Sequence, residues 1–325
     1  MNKRRTTSID YAHPHRPLLL RALNAVGGAA HRAGLAIDLS ADSLMQAAIR
    51  AERATDFGDG DFVTPLLVLT AAIEEEADLH FTGRFITRQR LINLLRNRLR
   101  AARFLARHPE VRDMPLPPVI LVTGLQRTGT TLLHRLLSAR EGQRGLRSFE
   151  ALNPVPFGDD PAVDRRQKLR LARTAEAALS FMAPDFFAIH PVEAEQEEED
   201  VLLLDYALIS TVAESTMNVP TYAQWVETHD NRPAYEYMAT LLRILSFFTG
   251  PSRWILKSPH HLEFLDVFLD VFKDATVVWA HRDPCETLPS FCSMMCHGRG
   301  VFSDAVDPVA IGDQWLRKTA RMVQR

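Results

Sequence analysis

From the N-terminus to about Arg112 the apolar positions recur at helical spacing and never alternate as in a half-buried strand, which predicts a helical region. Ser40 stands where an N-cap belongs, ahead of Leu44, Ala48 and Ile49. Thr64-Pro65 reads as a second start, a cap followed by proline at the first helical position. Asp56-Phe-Gly-Asp-Gly-Asp61 is a turn-rich break between them. Between Thr87 and His108, Leu91, Leu95, Leu99 and Ala102 share one stripe. Arg88, Arg90, Arg96, Arg98, Arg100, Arg103 and Arg107 take other positions. The pattern predicts a packed helix with a solvated arginine face. A basic surface for membrane or nucleic acid is the alternative.

The pattern changes at Met114-Pro-Leu-Pro-Pro118, a link that cannot continue a helix. We therefore read residues 1–113 as a helical region and 114–325 as a second domain. Val119–Thr123 is a short β-branched apolar run, as expected of a strand buried on both faces, and Trp254–Leu256 and Thr276–Ala280 are similar. Helical stretches around Glu197–Ser210, Pro233–Phe248 and His260–Phe272 separate or follow them. Strands alternating with helices predict an α/β fold, a three-layer parallel sheet with helices on both faces.

The chain has 325 residues, 46% of them hydrophobic, so it buries a core without disulfide staples. A net charge of −2 calls for neither nucleic acid nor anionic membrane as partner. Cys285, Cys292 and Cys296 are the three cysteines, a number that fits a reducing cytosol rather than a secreted framework. Cys292 and Cys296 with His297 have a metal-ligand look, but no second ligand pair accompanies them, and a buried helix face is the expectation. Leu18–Leu20 is too short for a signal core or a span, and the expected location is cytoplasmic.

The chemistry concentrates in Val119-Ile-Leu-Val-Thr-Gly-Leu-Gln-Arg-Thr-Gly-Thr-Thr-Leu-Leu-His134. A strand ends, the chain turns through Gly124 and Gly129, and a helix starts. That geometry aims backbone N–H groups and a helix N-terminus at one anion. In the triphosphate loop G-x-x-x-x-G-K-[ST] the lysine neutralises the β- and γ-phosphates. Here Gly124, Gly129 and Thr131 fit, but Thr130 holds the lysine position and Arg127 supplies the charge. The substitution argues against an ATPase or GTPase. Lys257-Ser258-Pro259 and Arg282-Asp283-Pro284 follow the two later strands, so their side chains should gather at the same sheet edge.

From Val119 to about Met294 the chain resembles the PAPS-dependent sulfotransferases, particularly the bacterial and tyrosylprotein branch. The resemblance rests on the loop, on Lys257-Ser258-Pro259, and on Arg282 followed by Ser290 eight residues on. It implies PAPS (3′-phosphoadenosine 5′-phosphosulfate) as sulfuryl donor, with no metal. Gln126, Arg127, Thr128, Gly129, Thr130 and Thr131 would hold the 5′-phosphosulfate, and Arg282 and Ser290 the 3′-phosphate. Arg127 and Lys257 would neutralise the leaving phosphate oxygen.

The family's base is a histidine after a Lys-Thr pair in one branch and a glutamate after the loop's helix in another. Here Pro259 takes the histidine's place, with His260 and His261 beyond it, and the nearest glutamate is Glu150, about two residues further along. Glu150, or failing that His260, is the expected base. The implied acceptor is a hydroxyl or amine on a small molecule, saccharide or peptide. The rival functions are a P-loop kinase or NTPase and a non-catalytic module acting through helix 87–108. His190-Pro191 and the acidic run Glu193–Asp200 either border an acceptor pocket or form a solvated helix N-terminus, and the second is expected. The run from near Pro308 stays helical without a stop signal, and a further segment is expected to follow it.

Overall fold

The computed structural model describes Tyr11, residues 14–250 and residues 252–324. The sheet is preceded by α1 (Leu18–Arg32), α2 (Ala41–Glu52), α3 (Val63–Glu76) and α4 (Phe81–Arg107). Ser40 caps α2 as expected, its hydroxyl accepting from the Ser43 amide at 3.4 Å. The start of α3 differs. Asp61 Oδ1 accepts from the Val63 and Thr64 amides at 3.0 Å each, so the helix opens before Thr64-Pro65.

Only Arg103 and Arg107 of the α4 arginines are exposed; the others are half-buried or buried. Glu52 receives Arg96 at 2.7 Å, Arg100 at 3.4 Å and Arg103 at 3.3 Å, and Glu74 receives Arg84 at 2.6 Å. The Arg98 guanidinium lies over the Phe62 and Tyr237 rings, 4.7 and 4.5 Å from their centroids. Arg98 and Arg100 are buried. Most of these cations are engaged by acidic partners or aromatic rings of the protein itself, which weakens the case for a polyanion-binding helix.

After the 114–119 link come β1 (Ile120–Gly124), α5 (Thr130–Ser138), β2 (Gln143–Gly145), α6 (Ser148–Leu152), α7 (Pro161–Met182) and α8 (Pro184–Ile189). Then follow α9 (Val201–Leu204), α10 (Val212–Thr216), α11 (Pro220–Thr228), α12 (Arg232–Phe247), β3 (Arg253–Lys257) and α13 (Leu265–Val271). The last elements are β4 (Thr276–Ala280), α14 (Pro284–Arg299) and α15 (Pro308–Gln324). The strands pair in parallel in the order β2-β3-β1-β4. The expected helix over Glu197–Ser210 shrinks to α9 and a 3₁₀ turn at Asp205–Ala207. That over His260–Phe272 splits into a turn at Pro259–Leu262 and α13.

Helices cover both faces of the sheet. Strand alternation sends Trp254 and Leu256 towards α12, where Trp254 Nε1–H donates to Ser246 Oγ at 3.0 Å. Leu121, in register with Leu256, joins them in a core that continues into α2, α3 and α4. Ile255 and Lys257 face the other side with α5. Gly145, in register with Ile255, packs so closely there that a Cβ would sit 2.7 Å from Ser138 Oγ. β1 and β3 are buried on both faces as expected. β4 is not: it is an edge strand with Thr276 and Trp279 exposed, the Trp279 ring (41% exposed) stacked on His281 at 5.0 Å. Among the described residues no helix is long and apolar enough to cross a membrane.

Candidate active site

β1 ends at Gly124, whose φ of 149° and close approach to β4 both exclude a side chain. A Cβ there would lie 2.3 Å from the Ala280 carbonyl oxygen. The chain turns and enters α5 at Gly129, with φ 91°. No side chain caps α5, so its first amides point outwards without a side-chain acceptor. Arg127 between the glycines has φ 68°, a left-handed conformation costly for a residue with a Cβ. Three contacts support the turn. Thr128 Oγ1–H donates to the Leu125 carbonyl at 2.7 Å, Arg127 Nε–H donates to Ser290 Oγ at 3.3 Å, and Arg282 Nη1–H reaches the Arg127 carbonyl at 3.5 Å.

Arg282 leaves the end of β4, and Asp283 caps α14 through the Cys285 amide at 2.8 Å. That helix carries Ser290 back to the turn. Arg127, Arg282 and Ser290 therefore meet, although 163 positions separate Arg127 from Ser290. Arg282 also forks onto Glu286, at 3.0 and 2.8 Å. Gln126 and Thr128 are half-buried, Thr130 is buried and Thr131 is exposed in the first turn of α5.

Lys257 stands at the tip of β3, one strand away, opposite Val122. Thr123 Oγ1–H donates to the Ser258 carbonyl at 3.0 Å and fastens the two strand ends together. The buried Lys257 ammonium holds Glu199 at 2.6 Å, and Ser258 Oγ–H donates to the same carboxylate at 3.3 Å. Burial, and then the charge of Lys257, push the His134 imidazole below its usual range. Its Nε2 lies 2.9 Å from the Ile255 carbonyl.

The two expected bases lie apart from this tip. Glu150 caps α6 through the Arg147 amide at 3.1 Å and pairs with Arg144, whose guanidinium rests over Trp254 at 4.2 Å. Arg144 is in register with Trp254, so that pair occupies the α12 side of the sheet, opposite Lys257. His260 is buried, with Nδ1 3.2 Å from Thr211 Oγ1. Burial, then His261 and Lys318, hold its pKa well below the ordinary histidine value. It is an interior ring.

The acidic run is not a solvated helix N-terminus. It turns at Glu193–Gln196 and then runs beside 146–149, with amides of Ser148 and Phe149 donating to Gln196 and Ala194 and that of Glu198 donating to Leu146. Asp200 is fully buried and accepts from His261 Nε2–H at 3.1 Å, while His261 Nδ1 accepts from the Tyr235 hydroxyl at 2.9 Å. Glu199 thus pairs with Lys257 and Asp200 with His261, contacts that the sequence pattern did not expose. A cleft of about 520 Å³ does border Glu193–Gln196, between that stretch, α7 and α8. On α14, Cys296 is buried and its thiol is pushed up to about 11 by burial and by Cys292, whereas Cys285 is exposed.

A parallel α/β sheet whose first strand feeds a glycine turn ringed by Arg127, Arg282 and Ser290 defines the class, and sequence comparison agrees. The sulfotransferase family profile matches residues 118–325, and the chain belongs to that family. Among solved structures, sulfotransferase STF1 from Mycobacterium tuberculosis H37Rv is similar at 30% identity and a TM-score of 0.74, over 88% of this chain and 79% of that one. Sulfotransferase STF9 from Mycobacterium avium shares the fold at 22% identity and a TM-score of 0.79, over 88% of this chain and 74% of that one. Comparison with curated protein sequences finds no significant match.

Proposed function

We propose that this sulfotransferase takes PAPS as its donor and moves the sulfuryl group to an acceptor hydroxyl or amine. The observation that carries the proposal is the meeting of Arg127, Arg282 and Ser290 around the uncapped start of α5. Amides from Arg127 to Thr131 bind the 5′-phosphate. Arg282 and Ser290 bind the 3′-phosphate, the arginine as a charged fork. Lys257 and Arg127 stabilise charge on the leaving phosphate oxygen. Transfer of this kind is in line and depends on positioning and charge, as in phosphoryl transfer. Three unpaired cysteines suit a reducing, cytoplasmic setting.

The missing triphosphate lysine and the 3′-phosphate pair make PAP (3′-phosphoadenosine 5′-phosphate) the diagnostic ligand. Calorimetry should show PAP binding far more tightly than ATP or AMP. Equal affinities, or magnesium-dependent ATP hydrolysis, would refute the donor assignment.

A further inference from the structure

Helix α1 turns an apolar face to solvent. Its buried residues are Leu20 and Gly27, and Gly27 packs so closely on α4 that a Cβ would lie 2.2 Å from the Phe81 ring. Asn24 Oδ1 fastens the same side, accepting from the Thr82 amide at 3.0 Å and from the Thr82 hydroxyl at 2.8 Å. On the other side Leu19, Leu23 and Val26 follow one another at i, i+4 and i+7, with Leu18 beside them. All four are exposed, Leu18 by 80% and Val26 by 70%. A helix packed on a globular protein ordinarily presents polar residues there. The charge is one-sided as well. From Tyr11 to Ile37 the sequence contains no aspartate or glutamate. Arg21 and Arg32 stand on one flank of the stripe, three turns apart. Both are exposed and neither has a carboxylate partner among the described residues. The cleft between α1 and α4 holds Asp78 and Asp304, the latter paired with Arg16, and neither lies on the stripe.

We propose that α1 docks the protein on an anionic phospholipid bilayer. The helix lies in the plane of the surface, its leucine and valine stripe in the headgroup–acyl boundary and Arg21 and Arg32 on lipid phosphates. Fifteen residues are too few to cross a bilayer, and none of the described helices can do so. The net charge of −2 does not oppose this, because a bilayer meets one face of the molecule and charges beyond a Debye length are screened. Charge also decides against a second copy of the chain as the occupant. A symmetric contact through this face would set the arginine flank against a helix equally without carboxylates, whereas an anionic surface supplies the missing charge. The inference is independent of the donor assignment.

The test is co-sedimentation with sucrose-loaded vesicles at fixed salt, either equimolar phosphatidylglycerol and phosphatidylcholine or phosphatidylcholine alone. Wild type should partition onto the anionic vesicles about tenfold more strongly than onto the neutral ones, or better. The double variant Leu19→Gln/Val26→Gln should lower that partition by about 10–100-fold. Arg21→Gln/Arg32→Gln should lower it by about 10–30-fold. Arg21→Lys/Arg32→Lys should keep it, since the bilayer requires charge there and not a planar fork. Every altered side chain is exposed, so urea midpoints should match wild type. Wild type that ignores anionic vesicles, or binds neutral ones equally, overturns the proposal. So does an apolar variant that binds as wild type does, which would leave a purely electrostatic surface suited to a soluble polyanion. Sedimentation velocity without lipid supplies the remaining outcome. A wild-type dimer that Leu19→Gln/Val26→Gln dissociates would make the stripe an interface between copies and overturn membrane docking.

Discussion

Both members of the proposed 3′-phosphate pair are exposed, and the Arg282 side chain, 54% accessible, is already forked onto Glu286. Arg282→Ala should weaken PAP by about 1–2 kcal/mol, less than a buried charged hydrogen bond contributes, because solvent screens the contact. Arg282→Lys should recover little of it, since a point charge does not reproduce the planar fork. Calorimetry at fixed salt measures both, and an unchanged affinity would place the 3′-phosphate elsewhere. That Arg282 and Ser290 come together at the turn was legible in the sequence, because a strand end and an eight-residue spacing are local features. The Lys257–Glu199 ion pair was not: 58 positions separate its members, and nothing local separates Glu199 from Glu197 and Glu198. The side of the sheet taken by Glu150 was equally hidden, because Gln143-Arg144-Gly145 carries no apolar alternation by which β2 could be recognised.

At the scale of elements, α4 shows how far periodicity reaches. The leucine stripe correctly placed a helix, but whether its arginines met water or protein depended on α2, which presents Glu52 to three of them. Burial lowers the Arg100 pKa to about 10, with Glu52 opposing that shift, so the guanidinium remains a cation at neutral pH. Glu52→Ala leaves that buried cation without its carboxylate and should destabilise the fold by about 3–5 kcal/mol. Urea unfolding would show it as a lower midpoint at unchanged slope. A loss under about 1 kcal/mol would mean that the Asn153 contact and the Phe157 ring suffice for Arg100. The length of α9 was misjudged for a related reason: acidic residues before an apolar run look like a helix start, yet here they turn and then run beside 146–149.

Across the whole molecule, one buried cluster joins distant segments. Lys318 of α15 reaches Glu214 of α10, Glu227 of α11 at 3.3 Å, and Glu263 beyond β3 at 3.2 Å, with Arg321 3.6 Å from Glu263. Burial, with Glu214 and Glu227 adding to it against Lys318, pushes the Glu263 carboxyl up to about 7. A raised carboxyl pKa means that the folded protein holds a proton the unfolded chain gives up from about pH 4.5. Its contribution is therefore full at low pH and is lost as pH rises from there to about 7, by about 3 kcal/mol at most. Glu263→Gln should remove this component. Scanning calorimetry between pH 5 and pH 8 should show wild-type stability falling relative to the variant, and parallel curves would contradict the assignment. The parallel sheet and the N-terminal helices were readable as classes of element. This cluster was not, because its members come from four separate segments.

The chain has four tryptophans, and Trp279 on the edge strand is the most exposed of them. Trp254 and Trp315 are sealed in the interior. The Trp279 indole is three residues before Arg282 and stacks on the His281 ring. Red-edge excitation should favour Trp279 over the buried Trp254 and Trp315. Its quenching by acrylamide should fall as PAP is added, and Trp279→Phe should abolish the signal while leaving calorimetric affinity intact. The exposed edge thus gives the proposed nucleotide site an optical reporter that needs no label.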